Sequence, residues 1–262
     1  MIKINFLEII LDNKNNLKKR LSVLVKGKKK LKAGVYVGKN VKIEPNVFFD
    51  ASGGNIVIGE GTKIKANSIL RGPLLIGKNC VVNSFAEISH SNIGDVCKVS
   101  GEITFSVMQS YSNKQHYGSL GYSYVGSWVN IGGGTSTANM KNTYGTIVMN
   151  GIDSGEVFLG CVLEDYCKTA VNTSIFPGKV IGMSSHLYGT VVEDVPAFTS
   201  YVAPGKMYEL PIEVAKKIQE KMSARRGVKF TEEEKKNFGK MFKETENDRK
   251  KVGVRKEKLS FN

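Results

Sequence analysis

The stretch IGEGTKIKANSILRGPLLIGKNCVVNSFAEI, residues 58–88, carries an aliphatic side chain at every sixth position. These residues are Ile58, Ile64, Leu70, Ile76, Val82 and Ile88. Small residues stand four positions after most of them, at Thr62, Ser68, Cys80 and Ala86. A period of six is neither the 3.6 of a helix nor the two of a single strand. It fits short strands separated by turns, each giving one large and one small side chain to a narrow interior.

The same stride extends on both sides of this stretch, with a slip of one residue after Ile88. It begins at Val37, Ile43 and Phe49 and continues at Ile93, Val99, Val125, Ile131, Ile175, Ile181 and Leu187. Three such strands make a coil of about eighteen residues, and coils stack at the sheet spacing of roughly 4.8 Å. The pattern predicts an all-β solenoid over residues 37–195: a left-handed parallel β-helix of hexapeptide repeats with about nine coils.

Amphipathic segments flank the repeat, and we expect them to cover or brace the solenoid, whose end coils expose unpaired strand edges. Residues 4–26 place leucines on one face, at Leu7, Leu11, Leu17, Leu21 and Leu24. Residues 211–227 begin with proline and align Ile212, Ala215, Ile218 and Met222. A capping box then opens a helix with Phe238, Met241 and Phe242 on one side, and its two residues are Thr231 and Glu234. The predicted domains are a basic, partly helical flank (1–36), the β-helix (37–195) and a C-terminal linker with basic helices (196–262).

The net charge of +14 over 262 residues belongs to the flanks: +8 over residues 1–32, −1 over 33–210 and +7 over 211–262. This charge has two possible interpretations: solvated lysine-rich faces on the flanking helices, or a surface that attracts an acidic partner or a polyphosphate. Nucleic-acid binding is not expected, because the basic residues are not interleaved with aromatics. Four cysteines without a CxxC pair suit a reducing compartment. The apolar run FLEIIL is too short for a bilayer, so we expect a cytoplasmic protein without membrane insertion.

The stretch VNIGGGTSTANMKNTYG, residues 129–145, interrupts the regular pattern with three consecutive glycines and almost no apolar side chains. Departures from a repeat are where solenoids tend to carry function. Glycines without side chains let a backbone approach a ligand closely and present N–H groups to it. A turn that merely lacks side chains is the structural alternative.

The motifs of the interrupted region resemble a known family. They are ILRGPLLIGKNC, GEITFSV, YSNKQHYG, VNIGGGTSTANMKNTYG, CKTAVNTSIFPGKVIG and KMSARRGVKFTEEE. They resemble the acetyltransferase half of bifunctional sugar-1-phosphate uridylyltransferase/glucosamine-1-phosphate acetyltransferases, in its alternative bacterial and archaeal branch. The resemblance implies a homotrimer, with acetyl-CoA as co-substrate in a groove between prisms, a sugar phosphate beside it and no metal for the transfer.

The resemblance also implies roles for individual residues. His116 falls on the general base, and a neutral imidazole near pH 7 can take a proton from an attacking amine. Gly133 and Cys161 are the implied cofactor-binding positions. The implied substrate-binding side chains, including candidates for a phosphate, are Arg71, Lys114, Asn130, Asn139, Lys168 and Asn172.

Three departures from the family pattern leave the function open. Thr104 and Ser119 stand where the common bacterial enzymes carry a lysine and a tyrosine, and Tyr117 stands where the alternative branch carries an aspartate. A degenerate scaffold that trimerises and recruits a partner is therefore an alternative, as is acyl transfer to a different acceptor, such as a nucleotide-linked amino sugar. Only 36 residues precede the repeat, so the nucleotidyltransferase half is expected to be a separate polypeptide. A three-histidine zinc site is not expected, since His90, His116 and His186 form no close pair.

Overall fold

A computed structural model describes residues 5–26 and 28–259, and it shows a three-faced parallel solenoid. Face 1 is a nine-stranded sheet whose first strand is antiparallel: Lys29–Lys32, Val35–Val37, Ile56–Ile58, Leu74–Ile76, Asn92–Ile93, Val107–Met108, Tyr124–Val125, Val162–Leu163 and Val180–Ile181. Face 2 comprises Lys42–Ile43, Lys63–Ile64, Val81–Val82, Lys98–Val99, Asn113–Lys114, the bridging residue Asn130, Lys168–Thr169, His186–Leu187, Thr199–Ala203 and the antiparallel Lys206–Glu209. Face 3 comprises Phe48–Asp50, Ile69–Arg71, Glu87–Ser89, Glu102–Thr104, Ser119–Gly121, Ser136–Thr137, Ser174–Ile175 and Thr190–Val191.

The stride of six visits the three faces in turn. Ile58 lies on face 1, Ile64 on face 2 and Leu70 on face 3, and all three are fully buried. Each stacks on its equivalent in the next coil, so that Ile58 pairs with Ile76, and Ile64 with Val82. The predicted left-handed parallel β-helix is confirmed. The predicted boundaries at residues 37 and 195 stay predictions.

A long helix covers face 1. This helix, α1 (Phe6–Leu24), begins at Asn5, whose side chain accepts a hydrogen bond from the Glu8 N–H at 3.3 Å. It packs on the strands Ile56–Ile58, Leu74–Ile76, Val107–Met108 and Tyr124–Val125. Its buried residues are Ile10, Asn13, Leu17 and Leu21. The predicted helix is present, but Leu24, its last residue, is exposed, and residue 4 lies outside the described residues.

Three helices close the C-terminal part: α2 (Ile212–Ala224), α3 (Glu232–Glu244) and α4 (Glu246–Lys251). The predicted capping box is present, since Thr231 Oγ1 accepts from the Glu234 N–H at 3.2 Å and the Glu234 carboxylate accepts from the Thr231 N–H at 2.7 Å. Edge-to-face ring contacts hold α3 against the end of the solenoid, with Phe238 packed on Phe198 and Phe230.

The buried face of α2 differs from the expected one. Ile218 and Met222 are only half-buried, whereas Ala215, Gln219 and Ser223 are buried. Ala215 packs in an apolar cluster with Phe198 and Phe238. The buried Gln219 side chain donates to the Ser223 hydroxyl at 3.0 Å, whereas Ile218 and Met222 line a cavity between α2 and face 2. A hairpin, Val148–Met149 and Ile152–Asp153, leaves the solenoid between faces 3 and 1. No helix within 5–26 and 28–259 combines the length and apolarity needed to cross a membrane.

Truncation of Ile88 tests the core. Ile88→Ala should lower the free energy of unfolding by about 2–5 kcal/mol, because the narrow interior cannot collapse around the missing atoms. Urea denaturation followed by circular dichroism measures the loss. Ile152→Ala removes the same atoms at a hairpin position that is 63% exposed, and its effect should stay within about 0.5 kcal/mol. Equal losses in the two variants would contradict the core position of Ile88.

Candidate functional site

Three stacked turns between faces 2 and 3 form the centre of the candidate site, and we call residues 115–118, 132–135 and 170–173 the site corner. The Gly134 N–H donates to the Tyr117 carbonyl at 3.0 Å. The Asn172 N–H donates to the Gly133 carbonyl at 2.7 Å. The glycine run therefore lies between the turn that carries His116 and the turn that carries Asn172.

The lack of a side chain at Gly134 is a steric requirement. Gly134 has φ +74°, and a Cβ there would lie 2.0 Å from Asn172 Oδ1. Across this gap the Tyr117 hydroxyl donates to Asn172 Oδ1 at 3.3 Å. At Gly133 a Cβ would meet the His116 side chain only at ordinary contact distance, 3.4 Å from His116 Cβ. The glycines thus bring the His116, Tyr117 and Asn172 side chains to one surface.

One N–H of the glycine run is open to a ligand. The Gly132 N–H donates to Thr169 Oγ1 at 2.9 Å, and the Gly134 N–H is used by Tyr117. The Gly133 N–H meets no acceptor among the residues that the structure describes. An unpaired backbone N–H beside an exposed imidazole is an arrangement suited to a reaction that develops negative charge on oxygen.

His116 is exposed at this corner. Its imidazole makes no hydrogen bond to any side chain or backbone group within 5–26 and 28–259, so both ring nitrogens are open to a substrate. Tyr117 beside it is 70% exposed. The carbonyl of His116, by contrast, points inward and is held by a hydrogen bond.

That hydrogen bond comes from Lys114, which lies in the interior of the prism. Its side chain is 1% exposed and donates to the carbonyls of Ser100 at 2.9 Å, Gly118 at 2.7 Å and His116 at 3.2 Å. Burial lowers the pKa of Lys114 to about 8, and the Glu102 carboxylate partly offsets this effect. Lys114 was predicted to contact a substrate phosphate, but all its donors are taken by the chain, and it holds the His116 turn from beneath.

Asn130 and Lys168 lie next to one another on the outer surface of face 2. Asn130 Oδ1 accepts a long hydrogen bond from Asn113 Nδ2 at 3.5 Å, and Lys168 Nζ donates to the Tyr166 carbonyl at 2.9 Å. Burial lowers the pKa of Lys168 to about 8. Both residues line a cavity of about 340 Å³ between face 2 and α2, whose wall also includes Gln115, the neighbour of His116.

The other predicted site residues lie elsewhere. Asn139 packs over Gly121, where a Cβ would lie 2.5 Å from Asn139 Nδ2, and the chain leaves the solenoid directly afterwards. Cys161 is in the interior and accepts from the Ser123 hydroxyl at 3.8 Å; burial raises the pKa of its thiol to about 12. A buried neutral thiol is not exposed to a cofactor.

Arg71 is separated from His116 along the solenoid. It forms ion pairs with Asp50 at 3.5 Å and Glu87 at 3.3 Å, and its guanidinium lies 5.9 Å from the centre of the Phe48 ring. The structure therefore brings together His116, Gly133 and Asn172 at the corner, with Asn130 and Lys168 on the adjoining face. It leaves Arg71, Asn139 and Cys161 apart from them.

The two remaining histidines, His90 and His186, are packed against other side chains outside the site corner. His90 stacks on Phe105 with ring centres 4.3 Å apart. His186 is paired in register with Lys168, and burial, with a smaller effect of Lys168, lowers its pKa to about 4. Within the described ranges, no group of three or more histidine, cysteine, aspartate or glutamate side chains is placed to hold a metal ion.

Comparisons with known proteins agree with the resemblance. Residues 55–90 match the family "bacterial transferase hexapeptide (six repeats)". The chain is 29% identical over 162 residues to the bifunctional protein GlmU of Nostoc sp., which covers 61% of this chain and 29% of that protein. It is 28% identical over 145 residues to the GlmU protein of Azoarcus sp., covering 47% of this chain and 30% of that protein. The chain thus spans about three-tenths of the length of these relatives.

Among solved structures, an Arabidopsis UDP-N-acetylglucosamine acyltransferase superposes with a TM-score of 0.40 and 17% identity, over 85% of this chain and 89% of that one. Residues 55–90 of the parallel solenoid thus carry the hexapeptide repeat of the bacterial transferase family. The particular resemblance is to the GlmU proteins, and the family resemblance predicted from the motifs is confirmed.

The two glycines that flank the open N–H provide a matched test. Gly134→Ala should lower the free energy of unfolding by about 1–3 kcal/mol, since an alanine at φ +74° is strained and its Cβ displaces the Asn172 amide. Gly133→Ala adds the same methyl group at ordinary contact distance and should change stability by less than about 0.5 kcal/mol. Thermal and urea unfolding of both variants measure the difference. Equal stability of the two variants would contradict the tight packing of Gly134 between Tyr117 and Asn172.

Proposed function

We propose that the protein is an acyl-CoA-dependent N-acyltransferase that transfers acetyl from acetyl-CoA to the amine of an amino sugar phosphate. The observation that carries this proposal is that the exposed His116 imidazole and the unpaired Gly133 N–H belong to neighbouring turns at one corner of the prism. The hexapeptide repeat and the similarity to GlmU proteins support the same class of reaction.

The chemistry follows from these two groups. The amine nitrogen of the acceptor attacks the thioester carbon, forming the C–N bond, and His116 takes the proton that the amine loses. The negative charge on the thioester oxygen is met by the Gly133 N–H. The C–S bond then breaks, and coenzyme A leaves as the thiol after the protonated His116 gives it the proton taken from the amine. Neutral imidazole is the form of His116 that can act as the base.

The remaining site residues are assigned by their location. We assign Asn172, which Tyr117 contacts beside His116, to the sugar, and Asn130 and Lys168 on the adjoining face to its phosphate; the Tyr117–Asn172 hydrogen bond and the shared cavity support these assignments. Asn139 is assigned to the sugar or acetyl end by the resemblance. We assign Lys114 no contact with the ligand, because it holds the backbone of the His116 turn. We assign Cys161 no contact either, because it is buried and hydrogen-bonded to Ser123.

We also propose that the active form is a homotrimer and that it works in the cytoplasm. Exposed apolar side chains follow the corner line between faces 2 and 3: Phe85 is 75% exposed, Tyr117 70% and Val171 70%. Apolar surface of this kind marks contact sites, and α1 already covers the part of face 1 from Ile56–Ile58 to Tyr124–Val125. Cysteines without disulfides among the described residues suit a reducing compartment.

The trimer has a direct test. Light scattering at micromolar concentration should give three times the mass of the chain, since a groove between subunits needs neighbouring prisms. Replacing Phe85 and Val171 with serine should shift the protein toward the monomer and reduce turnover together with mass. A monomeric wild-type protein with full activity would overturn the shared groove.

Replacement of His116 tests the catalytic assignment. His116→Ala should lower turnover roughly 10²–10⁴-fold, the usual contribution of a positioned base. Acetyl-CoA affinity should change little, because the imidazole acts on the amine. Turnover is measured as thiol release from acetyl-CoA over a panel of amino sugars and their phosphates, and affinity by titration calorimetry.

The control for this test is His90→Ala, which removes a histidine that stacks on Phe105 away from the site corner. It should leave turnover within about twofold, because the half-buried His90 ring packs on Phe105 and lies outside the site corner. Full activity of His116→Ala would place the base elsewhere. A wild-type protein that neither binds nor cleaves acetyl-CoA would favour a scaffold that recruits a separate nucleotidyltransferase, in line with Ser119 and Thr104 at the expected tyrosine and lysine positions.

A further inference from the structure

The cavity between face 2 and α2 is lined by cations from several parts of the chain. Its volume is about 340 Å³, within the range of small-ligand sites. Its basic residues are Lys98, Lys168, Lys221, Arg225 and Arg226. Lys98 and Lys168 come from strands of face 2, and the other three from the last turn and end of α2. Two separate elements thus direct positive charge into one space.

This charge has no acidic partner among the described residues. No aspartate or glutamate lines the cavity, and none of its five cations forms an ion pair in the part of the chain that the structure describes. The pKa of Lys98 is lowered first by burial and then by the positive charges of Arg226, Arg225 and Lys65. Mutual repulsion of this kind costs stability unless an anion enters the cavity.

The position of α2 explains only part of this pattern. Cations at a helix C-terminus interact favourably with the helix dipole, which accounts for Lys221 and Arg225. It does not account for Lys98 and Lys168, which project from β-strands onto the same space. Arg226 donates to the Asn113 side chain and so ties the end of α2 to face 2, which fixes the distance between the two walls.

We propose that this cavity binds a ligand through a phosphate ester. Arginine forks and lysine ammonium groups are suited to phosphate oxygens, and the amides of Asn113 and Asn130 add donors on the strand side. Ile218 and Met222 form an apolar wall for the organic part of the ligand. Gln115 carries the cavity wall up to His116, so a ligand that is anchored here extends toward the site corner.

Two phosphate esters have this chemistry: the 3′-phosphate of coenzyme A and the phosphate of an amino sugar 1-phosphate. Only the choice between these two esters rests on the proposed function. The presence of an anion site rests on the cavity itself.

Calorimetric titration of the full chain with inorganic pyrophosphate tests the site. Arg225→Gln and Lys98→Gln, on opposite walls, should each weaken binding about tenfold or more, the loss expected for a charge-assisted hydrogen bond. The control is Lys217→Gln, which removes the same charge from the exposed side of α2, and it should leave affinity within about twofold. Thermal unfolding without ligand checks each variant, and Lys98→Gln carries the test if Arg225→Gln does not fold.

Two pairs of probes identify the ester. If Arg225→Gln weakens coenzyme A but not 3′-dephospho-coenzyme A, the ligand is the cofactor; if it weakens glucosamine 1-phosphate but not glucosamine, the ligand is the acceptor. Equal weakening in Lys217→Gln, or no effect of Arg225→Gln and Lys98→Gln, overturns the site. An effect on pyrophosphate alone overturns its assignment to a phosphate ester. If these binding results are obtained but no acyl transfer is detected, the proposed function is wrong and the anion site is still supported.

Discussion

The narrow interior of the prism is the constraint on which the rest of the structure depends. Each coil admits one large side chain from each face, and coils repeat at about the spacing of hydrogen-bonded strands. Ile58, Ile64 and Leu70 satisfy this in one coil, and the buried columns above them repeat it. Because the inward positions are fixed, the turns between them are also stacked in columns. Residues from turns far apart in sequence therefore meet at one corner.

Lys114 shows how the interior and the site are linked. It occupies an inward position of face 2, above Val82 and Val99, where an aliphatic side chain would satisfy the packing. Its ammonium group needs acceptors there, and it finds them in three carbonyls, two of which belong to the His116 turn. A lysine at this core position thus gives up apolar packing, but it fixes the backbone conformation of the His116 turn at the surface.

The repeat could be predicted from the sequence because one period describes every inward position. Lys114 could have been found in the same way, since it stands six residues after Met108 and six before Leu120, but its charge suggested a surface ligand. Of the buried residues of α2, Ala215 was predicted, but Gln219 and Ser223 were missed because neither is apolar and neither belongs to an apolar helical stripe.

Proximity at the site was harder to predict than the fold. Which residues share a corner depends on the number of residues in every intervening coil, and the stride slips after Ile88. Asn139 follows the face 3 strand Ser136–Thr137, which pairs with Ser174–Ile175 of the Asn172 coil, but it lies at the end of that strand away from the site corner. His116, Gly133 and Asn172 do meet, since their turns are stacked, whereas Arg71 lies coils away and pairs with Asp50 and Glu87.

The helix α1 changes how a solenoid of this kind can unfold. Coils normally contact only their neighbours, so that each can fray independently from an end. A helix of 19 residues is about 28 Å long, roughly six coil spacings, and α1 packs on strands of face 1 from Ile56–Ile58 to Tyr124–Val125. Lys14 also pairs with Glu156 of the insertion at 2.6 Å. Unfolding one of these coils therefore requires α1 to detach from the neighbouring coils as well. The coils under α1, including the His116 coil, should thus unfold as one cooperative unit and not one after another.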